Sequence, residues 1–201
     1  MSLPQIPTLH LILFITLLLP LLEFSPLPPF PSRKLCHSLC GLSIMHLTPS
    51  DPLARSFVYL VSTTTICMTW FDSLPNFKFA RERDVGITVY LLLVSFWFYM
   101  EMDPKVLGPV FFADPAGAVV GKAFDKFIGG RNFKVCGNKS VCGSLAVFGV
   151  TYFTIFYECE RWERGGISLG AMAVEMVGGE WDNLGLAAIV LAGWKLCGGK
   201  S

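Results

Sequence analysis

The chain has 201 residues, of which 53% are hydrophobic and only 15% charged, against about 25% charged residues in a typical soluble domain. Its 16 basic and 15 acidic residues nearly cancel, so the chain has no strong positive field that would attract nucleic acid. We therefore expect a protein whose partner is the lipid bilayer, and no nucleic-acid partner.

Eight apolar stretches are candidate membrane helices, since crossing a bilayer takes about 20 mostly apolar residues and short or re-entrant helices use fewer. The stretches are Leu9–Leu22, Leu35–Leu47, Ala54–Phe71, Val85–Met102, Val106–Gly121, Cys142–Tyr157, Gly166–Val177 and Leu184–Leu196. They predict an all-α fold, a polytopic transmembrane helical bundle of seven or eight segments. The localisation predicted is that of a multi-pass integral membrane protein.

Residues 1–32 are predicted to form an N-terminal hydrophobic segment and a proline-rich linker, Pro26–Pro31, which should end the first helix. Such a segment is either a cleaved signal or targeting sequence or a retained first helix. It lacks a basic leading region, which favours retention. This choice decides between seven and eight segments, and residues 33–197 form the single membrane domain in either case.

The distribution of basic residues predicts a topology, because loops that stay on the cytoplasmic side collect Lys and Arg. If all eight segments span, ten of the 16 basic residues fall on one side. These are Arg33, Lys34, Lys78, Arg81, Arg83, Lys122, Lys126, Arg131, Lys134 and Lys139, and the other six are Arg55, Lys105, Arg161, Arg164, Lys195 and Lys200. The loops containing Lys78–Arg83 and Lys122–Lys139 should therefore share one working face.

Asp114 lies inside the fifth apolar segment, where an ionised carboxylate costs about 2.5–3.5 kcal/mol on insertion scales. It should therefore face water, a cation or a partner, unless it only caps a helix. Gly117 and Gly121 follow it, and small residues let a ligand or another helix approach the backbone. After the basic loop, Lys139 and Ser140 precede Gly143 and Ser144 at the start of the sixth segment, an arrangement suited to phosphate.

Two further clusters carry groups suited to phosphate chemistry. Arg33, Lys34 and His37 stand at the mouth of the second segment, where the cations hold phosphate or only anchor the interface, and His37 orients phosphate or relays a proton. Asp182 and Asn183 precede the last segment, where they suit the positive end of a helix or bind Mg²⁺ through oxygen.

The seven cysteines show no paired spacing typical of a zinc site. Cys36, Cys40, Cys67, Cys136, Cys142, Cys159 and Cys197 lie mostly within or beside apolar stretches, where cysteine behaves as a small hydrophobic residue. We therefore expect neither a disulfide framework nor a metal cluster built from them.

In order, these clusters resemble motifs of the CTP-dependent lipid-alcohol kinases, a family that includes phytol, farnesol and dolichol kinases and is related to phosphatidate cytidylyltransferases. The similar residues are Arg33-Lys34-Leu35-Cys36-His37 with Gly41, Ala54-Arg55, Asp84-Val85-Gly86 with Tyr90, Asp114 to Gly121, Lys139-Ser140 with Gly143-Ser144, and Asp182-Asn183-Leu184. The resemblance runs from Arg33 to Leu196, and the late Asp-Asn-Leu is typical of the kinase branch.

The resemblance implies a membrane enzyme that transfers a phosphoryl group from CTP to an isoprenoid or related lipid alcohol, in a plastid or endoplasmic reticulum membrane. The catalytic residues would be Asp114, Asp182 and His37. The ligands of Mg²⁺ would be Asp114, Asp182 and Asn183. The nucleotide would be bound by Arg33, Lys34, Gly117, Gly121, Lys139, Ser140, Gly143 and Ser144. The alternatives are synthesis of a CDP-lipid from phosphatidate and a non-catalytic membrane protein derived from this family.

Overall fold

The structure, a computed structural model, describes residues 6–127, 134, 139–177 and 179–199. Eight α-helices occupy these ranges: α1 (Thr8–Phe24), α2 (Pro29–Ile44), α3 (Pro52–Trp70), α4 (Val85–Tyr99), α5 (Gly108–Phe127), α6 (Val141–Thr154), α7 (Arg161–Val177) and α8 (Asp182–Leu196). Each helix overlaps one predicted apolar segment, which confirms the all-helical prediction, although α2 and α7 begin at Pro29 and Arg161, ahead of the predicted Leu35 and Gly166. Arg131 and Lys200, two residues of the charge count, lie outside the described residues.

The helix ends follow from local sequence signals. α1 ends at Phe24, so the proline-rich stretch Pro26–Pro31 ends the first helix as predicted. α2 begins at Pro29, so the second half of that stretch is the first turn of α2 and not a linker. The side chains of Asp51, Asp84 and Ser140 cap α3, α4 and α6 by accepting hydrogen bonds from backbone N–H groups of the first turn. Polar residues just ahead of the apolar runs thus set where these helices begin.

The chain divides into two compact units, of which the first is Met1–Pro104. In it α1 packs against α2 and α3, and α3 packs against α4. The buried side of α1 is a stripe at heptad-like spacing, Leu11, Ile15, Leu18 and Leu22. Leu18 and Leu22 contact Phe79 of the loop before α4, so this loop closes one end of the unit.

The second unit, Lys105–Ser201, is a four-helix arrangement in which α5 packs against α6 and α8, and α7 packs against α6 and α8. The α5–α6 contact is close because both helices carry glycines there. A Cβ atom on Gly143 would lie 2.8 Å from the carbonyl oxygen of Gly117, and one on Gly117 would lie 2.6 Å from Val147 Cγ2. Gly108 at the start of α5 faces Thr154 at the end of α6, so the two helices are antiparallel.

Among the described residues, one helical stretch is long and apolar enough to cross a membrane, Pro104–Phe127, with 24 residues and a mean hydropathy of 1.2. It consists of α5 and the 3₁₀ turn before it. Three shorter helices, α1, α4 and α6, are predominantly apolar. The described ranges thus contain eight helices, and the number of membrane crossings stays a prediction.

Candidate functional site

Three carboxylates from three different helices meet in the second unit. Asp114 lies inside α5, Glu175 in the last turn of α7 and Asp182 at the first position of α8. Their oxygen atoms lie within 4.8 Å of one another, and Glu175 is only 8% exposed. Because Asp114 is inside its helix, the alternative that it only caps a helix end is excluded.

Lys139 neutralises part of this acidic cluster. Its Nζ donates to Glu175 Oε1 at 2.7 Å and to Asp182 Oδ2 at 2.5 Å, and its side chain is 24% exposed. Burial alone would lower the pKa of the Lys139 amine, but the hydrogen bonds and charges of Asp182 and Glu175 outweigh burial and raise it above 10.5. Lys139 is therefore an ammonium ion over the physiological pH range.

The donor set fits a hard divalent cation. With all four groups ionised, the three carboxylates and the Lys139 ammonium leave two net negative charges on the cluster. Oxygens bound to one Mg²⁺ at about 2.0–2.1 Å lie roughly 3 to 4 Å apart, and the carboxylate oxygens are already within 4.8 Å. Small side-chain rotations would thus let Asp114, Glu175 and Asp182 bind such an ion.

Asn183 stands beside the acidic cluster as the second residue of α8. It is 9% exposed, and its backbone N–H donates to Asp182 Oδ1 at 2.7 Å. This bond orients the Asp182 carboxylate while its other oxygen accepts from Lys139. The bond uses only the backbone of Asn183, so the prediction that Asp182 and Asn183 bind Mg²⁺ through oxygen stays a prediction.

The predicted phosphate-binding residues around α6 have structural contacts of their own. Ser140 Oγ accepts from the Gly143 N–H at 3.2 Å, and Ser144 Oγ donates to the Ser140 carbonyl at 3.1 Å. A Cβ atom on Gly121 would lie 2.9 Å from Ser140 Oγ, so Gly117, Gly121 and Gly143 all lie where α5 crosses α6. That these residues contact the nucleotide stays a prediction. Lys139 lies next to the crossing of α5 and α6 and connects this region to the acidic cluster.

Arg33, Lys34 and His37 lie on α2, in the first unit. Arg33 Nη1 is 3.7 Å from Asp84 Oδ2, and the His37 ring lies 4.4 Å from the Tyr90 ring. Residues separated by about fifty positions in the sequence are thus brought together. The roles of Arg33, Lys34 and His37 in phosphate binding and proton relay stay predictions.

Glu175 is the member of the acidic cluster that the sequence interpretation missed. The signal was present, because Glu175 lies within the apolar stretch Gly166–Val177, as Asp114 lies within Val106–Gly121. Further acidic residues follow just downstream, and acidic residues ahead of a helix suit its positive end, so Glu175 received no role of its own. Only the packing of α7 against α6 and α8 places Glu175 beside Lys139.

No family model matches this chain, and no curated protein or solved structure matches it either. The resemblance to the lipid-alcohol kinases therefore rests on the motifs in the sequence.

Proposed function

We propose that the chain is a membrane-embedded phosphotransferase that moves the γ-phosphoryl group of CTP to the hydroxyl of an isoprenoid or related lipid alcohol. The observation that carries the proposal is the cluster of Asp114, Glu175, Asp182 and Lys139, drawn from α5, α7, α8 and the residue before the α6 cap. Carboxylates beside a partly buried lysine supply both the metal-binding and the phosphate-binding groups that phosphoryl transfer needs.

The outward surface of the helices supports a membrane location. Leu9, Leu13, Leu17, Leu21 and Phe24 are all exposed on α1, opposite its buried stripe. A continuous exposed apolar strip of this kind marks a lipid or protein interaction surface. With the apolar stretch Pro104–Phe127, it favours a protein whose substrate is dissolved in the bilayer.

The reaction assigns a role to each group of the cluster. The alcohol oxygen attacks the γ-phosphorus, the bond to the β,γ-bridging oxygen breaks, and the hydroxyl proton passes to a carboxylate, for which Asp114 is best placed inside the apolar helix. The products are a lipid phosphate and CDP. Asp182 and Glu175, with Asn183 orienting Asp182, would hold Mg²⁺, which supplies charge neutralisation on the phosphates.

Lys139 connects the acidic cluster to the binding of the nucleotide. In the structure its ammonium satisfies two carboxylates. With those carboxylates held by a bound divalent cation, the Lys139 ammonium would be able to rotate toward the phosphate oxygens of the nucleotide. Charge balance thus gives a physical reason for the same lysine to contact acids in one state and phosphate in the other.

The test is phosphoryl transfer per folded protein in purified membranes, with γ-labelled CTP and a panel of phytol, farnesol, dolichol and diacylglycerol. We expect label in a lipid phosphate. Asp114→Asn should lower turnover about 100-fold or more, because it removes a proton acceptor while preserving volume. The matched control is Asp125→Asn on the same helix, whose side chain pairs with Lys134 instead.

Release of pyrophosphate with phosphatidate as acceptor would replace the proposal with CDP-lipid synthesis. Equal activity of Asp114→Asn and Asp125→Asn would remove Asp114 from the site. Absence of nucleotide use by the folded wild-type protein would leave the family's non-catalytic alternative.

A further inference from the structure

A second cluster of ligand atoms lies at the other end of the second unit. Cys159 is in the loop between α6 and α7, Glu163 is in the first turn of α7, and Cys197 is the residue that ends α8. α8 has 15 residues and is therefore roughly 22 Å long, with Asp182 at its opposite end. This cluster is thus separate from the carboxylate and lysine site.

We infer that Cys159, Glu163 and Cys197 form a binding site for a thiophilic divalent cation of the zinc class. Both sulfur atoms lie 3.5 Å from the same oxygen, Glu163 Oε2, and all three ligand atoms lie within 4.8 Å of one another. In a tetrahedral site with Zn–S near 2.3 Å and Zn–O near 2.0–2.2 Å, the sulfur-to-oxygen edge is about 3.6 Å. The two distances in the structure match this edge.

The ligands are held in place by neighbouring groups. Glu163 Oε2 also accepts the Glu160 backbone N–H at 2.8 Å, which fixes the carboxylate toward the cysteines. The Arg164 guanidinium donates to the carbonyl oxygens of Cys159 and Tyr157, at 3.4 and 3.2 Å, and so holds the loop that carries Cys159. A cation would therefore enter a set of ligands that already converge.

The charges also balance. Two thiolates and one carboxylate carry three negative charges, a divalent cation cancels two, and the nearby Arg164 supplies the third positive charge. Three protein ligands leave one coordination position for water. The bound ion would cross-link the α6–α7 loop and the end of α8, where Cys159 and Cys197 are free and form no disulfide.

The experiment is cobalt and zinc binding to the full-length protein, purified in detergent under reducing conditions. We expect one equivalent of Co²⁺ to give the absorption of thiolate-to-cobalt charge transfer, displaced by Zn²⁺. Cys159→Ser and Cys197→Ser should each abolish this absorption, and Glu163→Gln should weaken Zn²⁺ affinity at least tenfold. Cys142→Ser, a cysteine at the start of α6, is the matched control and should bind as the wild type does.

Thermal melting in metal-free buffer checks that each variant is folded. Added Zn²⁺ should raise the melting temperature of the wild type and of Cys142→Ser, and should leave that of Cys159→Ser and Cys197→Ser unchanged. Cobalt absorption that survives in Cys159→Ser or Cys197→Ser would overturn the inference. So would a Cys159–Cys197 disulfide that persists in the reduced preparation, or Zn²⁺ affinity unchanged by Glu163→Gln.

Discussion

The ammonium of Lys139 donates to the carboxylate of Asp182 across 43 positions of the sequence, at 2.5 Å, and also binds Glu175. The lysine precedes the cap of α6 and the aspartate begins α8, so the contact joins two helix N-termini. The charges are mostly buried, which makes the loss of one partner costly for the others.

We expect Lys139→Met to lower the free energy of unfolding by roughly 3 kcal/mol, because it leaves buried carboxylates without their cation. Lys139→Arg should retain most of the stability. Adding Glu175→Gln to Lys139→Met should recover part of the loss, since one uncompensated charge is then removed. Reversible unfolding in detergent would measure the three differences, and a Lys139→Met protein as stable as wild type would contradict the buried ion pair.

The close crossing of α5 and α6 predicts opposite effects of the same substitution at two glycines of α6. Gly143→Ala should destabilise the protein by about 1–3 kcal/mol, because its methyl group would lie 2.8 Å from a backbone oxygen. Gly149→Ala has nothing within 4 Å and should stabilise the helix by about 0.5–1 kcal/mol. Melting temperatures that shift in the same direction for both variants would refute the crossing.

The lowered pKa of Asp51 predicts that this residue stabilises the first unit less at acidic pH. Hydrogen bonds from the Thr8 hydroxyl, at 2.6 Å, and from the Leu53 N–H hold the pKa of Asp51 below its ordinary 3.8. A lowered pKa in the folded state means that the contribution is present above pH 3.8 and is lost as the pH falls through the folded-state value.

Asp51→Asn does not titrate, keeps one oxygen to accept the Leu53 N–H, and places its NH2 group beside the Thr8 hydroxyl, which can then accept instead of donate. The melting temperature of the wild type relative to Asp51→Asn should therefore fall between pH 6 and pH 3. In a Thr8→Ala background this pH dependence should shrink. If the melting-temperature difference between the wild type and Asp51→Asn is the same at pH 6 and pH 3, protonation of Asp51 does not destabilise the first unit.

The two ends of the second unit should lie on opposite faces of the membrane. In a cysteine-free background, we expect single cysteines introduced by Lys126→Cys and Glu158→Cys to react with an impermeant maleimide from opposite sides of sealed vesicles. Both side chains are exposed. Labelling of both positions from one side would mean that α6 does not span the bilayer.

Local patterns in the sequence determined the helices and their ends. Eight apolar runs became eight helices, the prolines after Pro26 separated the first two, and Asp51, Asp84 and Ser140 became caps. These features depend on residues within one or two turns of each other, so hydrophobicity and capping chemistry are sufficient to predict them.

Tertiary structure alone decided which side chains meet. It added Glu175 to Asp114 and Asp182, gave Lys139 its two acidic partners, and brought Cys159 to Cys197 although no paired spacing marks them. It also placed Gly117 and Gly143 against each other, whereas the sequence left open whether a ligand or another helix approaches the backbone there. Such convergence depends on which helix faces pack together, and the spacing of residues along one chain does not specify that.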